Sequence, residues 1–210
     1  MFQEINEWII KRCGKITSSE IFKIIPEGRK DTFTQSGKSY IKLKAAEYLT
    51  QEPNQRPTTY AMEWGNSHEF EAILELQRRI GKEIEYFGNG NPFFLEGSRF
   101  YGGSPDGIVE EYVIEVKCPF NSNEHLEHLL MNNHEDLKDY APEYYWQIVS
   151  NMILSKKSKA MFVSYDPRFT EEHRIKVLEF SLIDDDAKLL KERVELASKE
   201  LESIISKFGI

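Results

Sequence analysis

Ser104-Pro105-Asp106-Gly107-Ile108-Val109-Glu110-Glu111-Tyr112-Val113-Ile114-Glu115-Val116-Lys117-Cys118-Pro119-Phe120 reads as a β-hairpin. Two short apolar runs rich in β-branched residues meet at the polar pair Glu110-Glu111, and Pro119 ends the second run. Side chains alternate across a strand, so Tyr112, Ile114 and Val116 share one face while Val113, Glu115 and Lys117 share the other. One face is then apolar, and the other carries a carboxylate and an ammonium. With Glu110-Glu111 as the loop, Val109 pairs with Tyr112, Ile108 with Val113, and Asp106 with Glu115. Opposed Cβ atoms lie roughly 4.5–5.5 Å apart, where two carboxylates repel unless a cation neutralises them. Lys117 is placed to touch a water or phosphate oxygen held by such a cation. Glu-Glu is a poor tight turn, so a longer loop with a slipped register stays open. Charges on a solvated strand face are the plainer alternative. Against it, Ser104-Pro105 and Gly107 fix the backbone on both sides of one carboxylate.

Working back towards the amino terminus, Glu83 to Phe87 and Phe93 to Tyr101 read as strands leading into the hairpin, separated by a turn over 88–92. Thr58 to Ile80 is a long helical pattern stopped by Gly81. Glu69 on that helix could reach the hairpin cation from the side, whereas His68 reads as a packed or exposed helix residue. Ser39 to Leu49 is a further helix between loops. Phe2 to Arg12 is a short amphipathic helix before Gly14, and Thr17-Ser18-Ser19 marks a second helix start. A helix start offers free N–H groups that can hold a phosphate, with Arg12, Thr17 and Ser19 as extra donors; simple capping is the alternative.

Beyond the hairpin, 121–139 is polar. His125 and His128 lie three apart, which would suit a metal on a helix, but no third ligand is evident and exposed helix positions are expected. Pro142 to Leu154 is a helix with Tyr145, Ile148, Val149 and Met152 on one side, and Gln147 could aim its amide at the hairpin. Ala160 to Tyr165 and Arg174 to Ser181 are strands. From Asp184 a final amphipathic helix carries Leu190, Val194, Ala197, Leu201, Ile204, Ile205 and Phe208, a stripe that packs on its own domain or on an oligomer partner.

Length and charge bound the function. The 210 residues suffice for one sizeable core, residues 1–210. A net charge of −8 argues against a general nucleic-acid coat, though it leaves room for a basic channel. Cys13 and Cys118 are far apart and outside any paired motif, so neither a disulfide framework nor a zinc site is supported, and a reducing cytoplasm fits. No apolar run is long enough to span a bilayer and no export signal opens the chain, so a soluble cytoplasmic protein is expected.

Asp106 followed by Glu115-Val116-Lys117 resembles the signature of the PD-(D/E)XK nuclease superfamily. Together with Gly14 to Glu20, Trp64-Gly65 with Glu69, Gln147, and Tyr165-Asp166-Pro167-Arg168, it is similar to the phage lambda exonuclease (YqaJ-type viral recombinase) branch. The resemblance runs nearly the whole length, in order. It implies a mixed α/β fold: a restriction-endonuclease-like core with a central mixed sheet flanked by helices, and a C-terminal helix. It further implies a Mg²⁺-dependent exonuclease, with Mn²⁺ as an alternative and two ions per site. Such an enzyme degrades one strand of linear double-stranded DNA from its 5′ end to mononucleotides, as a homotrimeric ring with a single-strand annealing recombinase as partner. Carried over, Asp106, Glu115, Glu69 and the Val116 carbonyl hold the metals. Lys117 orients or activates water with help from Gln147, and Arg12, Thr17, Ser19 and Ser104 dock the 5′-phosphate. Asn121-Ser122-Asn123 stands where the family carries a phosphate-binding arginine, and Met62 is a candidate wedge between end base pairs or a core methionine. An endonuclease of the same superfamily and a non-catalytic DNA-binding assembly module are the alternatives.

Overall fold

The computed structural model describes residues 2–29, 31–54, 57–88 and 93–209, with the backbone alone for 2–6. The turn expected over 88–92 lies, from 89 on, outside the described residues. In chain order the elements are α1 (Phe2–Arg12), β1 (Ile16–Thr17), a 3₁₀ helix (Ser18–Ile24), α2 (Gln35–Thr50), α3 (Tyr60–Ile80), β2 (Glu85–Tyr86), β3 (Leu95–Ser98) and β4 (Tyr101–Gly103). Then come β5 (Gly107–Val109), β6 (Tyr112–Lys117), α4 (Ser122–Leu130), α5 (His134–Tyr140), α6 (Pro142–Ser155), β7 (Lys159–Tyr165), β8 (Ile175–Ser181) and α7 (Asp184–Ser206).

The hairpin forms with the two-residue loop: Val109 pairs with Tyr112, Ile108 with Val113 and Gly107 with Ile114. Glu110 takes a left-handed conformation, φ 49°, which costs a non-glycine residue energy. Two lysines hold the turn, Lys82 Nζ at 2.6 Å from Glu110 Oε2 and Lys157 Nζ at 2.6 Å from Glu110 O. The ladder stops at Gly107, so Asp106 does not pair with Glu115 as expected. Its backbone N–H donates to Ile114 O at 3.2 Å, and its carboxylate accepts from Val116 N–H at 2.7 Å. Asp106 thereby caps the strand end from beside it.

A five-stranded mixed sheet runs in the order β2-β5-β6-β7-β8. β6 and β7 are parallel, so the chain must cross over between them, and α4, α5 and α6 form that crossover. On one face Ala72, Ile73 and Leu76 of α3 pack with Ile114, Val116 and Val163. On the other, Tyr145, Ile148, Val149 and Met152 of α6 pack with Val113 and Phe162, joined by Ile21 and Ile24 of the 3₁₀ helix and by Leu190, Val194 and Leu201 of α7. The α7 stripe therefore lies in the core of its own chain as far as Ile205, with Ile204 half-buried at its side, while Phe208 falls beyond the helix end and is exposed. The hairpin face expected to be polar is a core face too, because α6 covers it: Val113 and Glu115 are both 0 % exposed.

The single strand expected over Phe93–Tyr101 is two. The chain reverses at Arg99-Phe100, and β3 and β4 pair antiparallel, Leu95 with Gly103 and Glu96 with Gly102. With β1, which lies parallel to β4, they form a separate three-stranded sheet. The physical cause is Phe100, whose ring enters the main core and pulls the chain round.

His125 and His128 are not exposed; both are fully buried, against Ser164 of β7. His125 Nε2 lies 2.8 Å from His173 O, which only accepts, so that nitrogen carries the proton. His125 Nδ1 then accepts from the Ser164 hydroxyl, whose oxygen accepts from His128 Nδ1–H, each at 2.8 Å. Burial pushes the His128 pKa down to about 4, so this pair fastens α4 to the sheet as neutral rings.

Candidate active site

Four elements bring the charged groups together. Thr59 caps α3 by accepting from Met62 N–H at 3.3 Å, and Gly81 ends that helix at φ 67°; the intact helix carries Glu69 towards the hairpin. Asp106 stands at the start of β5, Glu115 and Lys117 at the end of β6, and Gln147 on α6. Glu115 Oε1 accepts from Lys117 Nζ at 2.6 Å and from Gln147 Nε2 at 2.5 Å. Gln147 Oε1 lies 3.4 Å from Lys117 Nζ, and Tyr86 OH donates to Glu69 Oε1 at 2.9 Å.

Burial dominates the electrostatics. Removal from water, then the Asp106 charge, push Glu69 up to about 7 and Glu115 up to about 8. Asp106 is raised as well, by burial, against the pull of Lys117 and the Val116 N–H. Burial works against the Lys117 ammonium, but Glu115 and Asp106 outweigh it and hold it charged. Among the described residues no group of three or more His, Cys, Asp or Glu side chains stands ready to hold a metal ion. The reason is local: Glu115 Oε1 is drawn onto Lys117 and Gln147. The donor set still fits a hard divalent cation, because three crowded acids with raised pKa values, Glu115 buried and Glu69 and Asp106 half-buried, cannot all ionise without added positive charge.

The sign of the resulting pH dependence follows directly. In the unfolded chain these glutamates ionise near 4.5, whereas folded Glu69 and Glu115 keep protons to about 7 and about 8. Between these limits the folded state binds more protons, so metal-free stability falls as pH rises through the window. A cation binds the ionised form. The rise in Tm on adding Mg²⁺ is therefore expected to be larger at about pH 8 than at about pH 5.5. Thermal melts at both values check this; an equal rise at both contradicts it.

Beside the carboxylates lies a cleft of about 330 Å³ lined by Arg12, Ser18, Ser19, Ser104, Glu69, Asp106 and Gln147, among others. Arg12 stacks on Trp8 at 4.2 Å and its Nη2 lies 3.4 Å from Ser19 Oγ. Burial weakens the proton hold of the Arg12 guanidinium, and neighbouring Tyr40, Glu20 and Glu47 offset part of that. Trp8 Nε1 donates to Ser104 Oγ at 2.9 Å. Thr17 is buried and does not line this cleft; its N–H donates to Tyr40 OH at 3.0 Å and its hydroxyl lies 3.4 Å from that of Ser19. On the far side of Glu69 a second cleft, about 380 Å³, is walled by Met62, Lys117, Phe120 and Tyr144.

The profile of the YqaJ-like viral recombinase domain matches residues 7–180, a span that holds every one of these groups. The chain belongs to that family. Among solved structures it is similar to an alkaline exonuclease (LHK-Exo) from Laribacter hongkongensis, with 24 % identity, TM-score 0.80, and 97 % of this chain and 96 % of that one covered. LHK-Exo in complex with dAMP matches at 24 % identity and TM-score 0.79, covering 97 % and 95 %. A phage related exonuclease from Haemophilus somnus 129PT matches at 19 % identity and TM-score 0.74, covering 92 % and 96 %. At these identities the likeness is one of fold. No curated protein matches.

Within this YqaJ-like chain, Asn121-Ser122-Asn123 serves to start α4: the Asn121 side chain accepts from Asn123 N–H at 3.1 Å. His68 stacks on Trp64 at 4.1 Å and lies 3.4 Å from Glu71, away from the carboxylates. Three contributors are not marked by the sequence motifs: Trp8, which holds Ser104 and Arg12, and two more. Tyr86 anchors Glu69, and Asn151 donates to Glu115 Oε2 at 3.2 Å. Asn151 follows Gln147 by one helical turn, so its place on the same face was available as a signal.

Proposed function

We propose that this chain is a divalent-cation-dependent 5′→3′ exonuclease. It would remove mononucleotides from one strand of linear double-stranded DNA and leave a 3′ overhang for strand annealing. The observation that carries this reading is the single cleft joining Arg12, Ser19 and Ser104 to Glu69, Asp106 and Gln147. An anion docked among the first three sets one phosphodiester against the others, which gives both end dependence and direction. The dAMP complex of LHK-Exo supports a site of this fold that accepts a nucleoside monophosphate.

Asp106, Glu115, Glu69 and the Val116 carbonyl would hold Mg²⁺ or Mn²⁺, two ions in the reading adopted. The ions supply charge neutralisation and a more acidic water for an in-line displacement. Lys117, held protonated by its acidic neighbours, orients the attacking water and meets charge on the phosphoryl oxygens; it does not serve as a base. Gln147 braces the Lys117–Glu115 pair, donating to Glu115 Oε1 and offering its oxygen to the Lys117 ammonium. Water adds to phosphorus, the bond from phosphorus to the 3′ oxygen of the released nucleotide breaks, that oxygen takes up one proton to leave as a hydroxyl, and the other proton of the water passes to solvent. Thr17 braces Ser19, and Met62, half-exposed in the wall of the second cleft, would part the terminal base pair. Residues 1–210 act as one exonuclease domain, within a homotrimeric ring in a host cytoplasm, and supply substrate to a single-strand annealing recombinase. Linear duplexes carrying a 5′-phosphate on one strand and a 5′-hydroxyl on the other test the reading. With Mg²⁺ the phosphorylated strand is expected to be lost first, as mononucleotides; loss from 3′ ends contradicts it.

A further inference from the structure

Asn151 is 0 % exposed on α6, and its amide orientation is fixed by its partners. Nδ2 lies 3.2 Å from Glu115 Oε2 and 3.3 Å from Ser104 O, and the Ser104 carbonyl only accepts, so a flipped amide would set oxygen against oxygen there. Its own Oδ1 is buried with no partner. That oxygen lies against Gly103, where a Cβ would fall 2.7 Å from it and 1.9 Å from Ser18 Oγ. The strand before Asp106 thus approaches α6 closely only because residue 103 has no side chain. A buried, unpartnered oxygen is unfavourable, and an apolar residue of similar volume would fill the space without that cost. The amide is retained where it holds two other groups.

Those groups belong to the two halves of the cleft. Glu115 Oε1 is held by Lys117 and Gln147, and Oε2 by Asn151. Without Asn151 the carboxylate is gripped at one oxygen and can turn about its last bond. Ser104 is held through its hydroxyl by Trp8 and through its carbonyl by Asn151. We propose that Asn151 is a positioning residue that locks the Glu115 carboxylate to the Ser104 backbone, setting the cation-binding and phosphate-binding halves of the cleft in one register. This rests on the exonuclease reading of the same site.

The test uses Asn151→Leu, close in volume, with Asn151→Ala read in its place if the leucine variant does not fold. Three quantities are measured: Tm, Mn²⁺ binding to the DNA-free protein by titration calorimetry, and the ratio of kcat/KM for 5′-phosphate over 5′-hydroxyl duplexes. Expected are a Tm near that of the wild type, Mn²⁺ binding weaker by about 10–100-fold, and a phosphate preference that falls towards parity. Unchanged Mn²⁺ affinity in the folded variant overturns the hold on Glu115. Weaker Mn²⁺ binding with an unchanged ratio overturns the link to Ser104. If the wild type shows no end-dependent degradation, the exonuclease reading fails, while the Mn²⁺ comparison still decides the role of Asn151 at Glu115.

Discussion

Lys117→Met is expected to slow degradation of linear duplex by about 10²–10⁴-fold in kcat, the range for loss of a positioned group acting on a proton or on developing charge. The ammonium sits 2.6 Å from Glu115 Oε1, 3.4 Å from Gln147 Oε1 and 4.9 Å from the Tyr144 ring centroid, so its direction is set from three sides. Methionine keeps most of the length and the apolar stem and removes the charge together with its N–H donors. Glu115 loses its closest cation in the variant and keeps its proton to a higher pH, so the fold survives at about pH 6 and weakens towards about pH 8. The kinetic loss should appear in kcat with little change in KM, since DNA docking falls to Arg12, Ser19 and Ser104. Steady-state kinetics decide the matter. Unchanged kcat removes Lys117 from the chemistry.

Arg168→Ala is expected to carry the largest stability loss, about 2–4 kcal/mol, and to lower activity as well. Asp166 is fully buried and meets Arg168 at two points, Nε to Oδ1 and Nη2 to Oδ2, each at 2.7 Å. Burial pushes the Asp166 pKa up, but the Arg168 hydrogen bonds overcome it and hold the carboxyl below its usual range. Removing the arginine side chain leaves the buried carboxylate without its paired charge, which normally costs about 3–5 kcal/mol; the lower figure allows for the residue-168 N–H and the Ser122 hydrogen bond that remain and for the solvent exposure of the Arg168 side chain. The low pKa contributes stability above about pH 4 that is lost as pH falls through the folded value, so the variant and the wild type should converge in acid. Arg168 also donates to Phe120 O at 2.9 Å and Pro119 O at 3.2 Å, and stacks on Trp64 at 4.6 Å. These contacts pin the residues just after Lys117, which is why activity should fall too. Lysine has no planar fork, so Arg168→Lys should rescue little. Urea melts across pH give the size; a loss under about 1 kcal/mol contradicts the account.

The hairpin was legible because local signals agree there: β-branched runs, a polar loop and a proline stop place Val109 opposite Tyr112, as found. The long α3 and α6 patterns were legible for the same reason. Non-local packing was not. Nothing near His125 or His128 announces Ser164, which lies 39 and 36 residues away, and a polar neighbourhood made burial look improbable. Arg99-Phe100 lacks the glycine or proline that usually marks a reversal, so β3 and β4 read as one strand. Asp106 lay one residue beyond the ladder because its carboxylate competes for the Val116 N–H, a choice that alternation cannot reveal. Of the site, the charged residues were readable from spacing and the family resemblance. The amides and hydroxyls that orient them, Asn151 and Tyr86, lacked any charge pattern to mark them.

The central claim is that Glu69, Asp106, Glu115 and Lys117 form a cation-dependent site reached only by a DNA end. Matched linear and covalently closed circular duplexes, incubated with Mg²⁺ and with EDTA, address it most directly. Release of mononucleotides from both 5′ ends of the linear duplex with Mg²⁺ and none with EDTA, with an intact circle throughout, is the expected result. Cutting of the closed circle, or degradation that persists in EDTA, contradicts it.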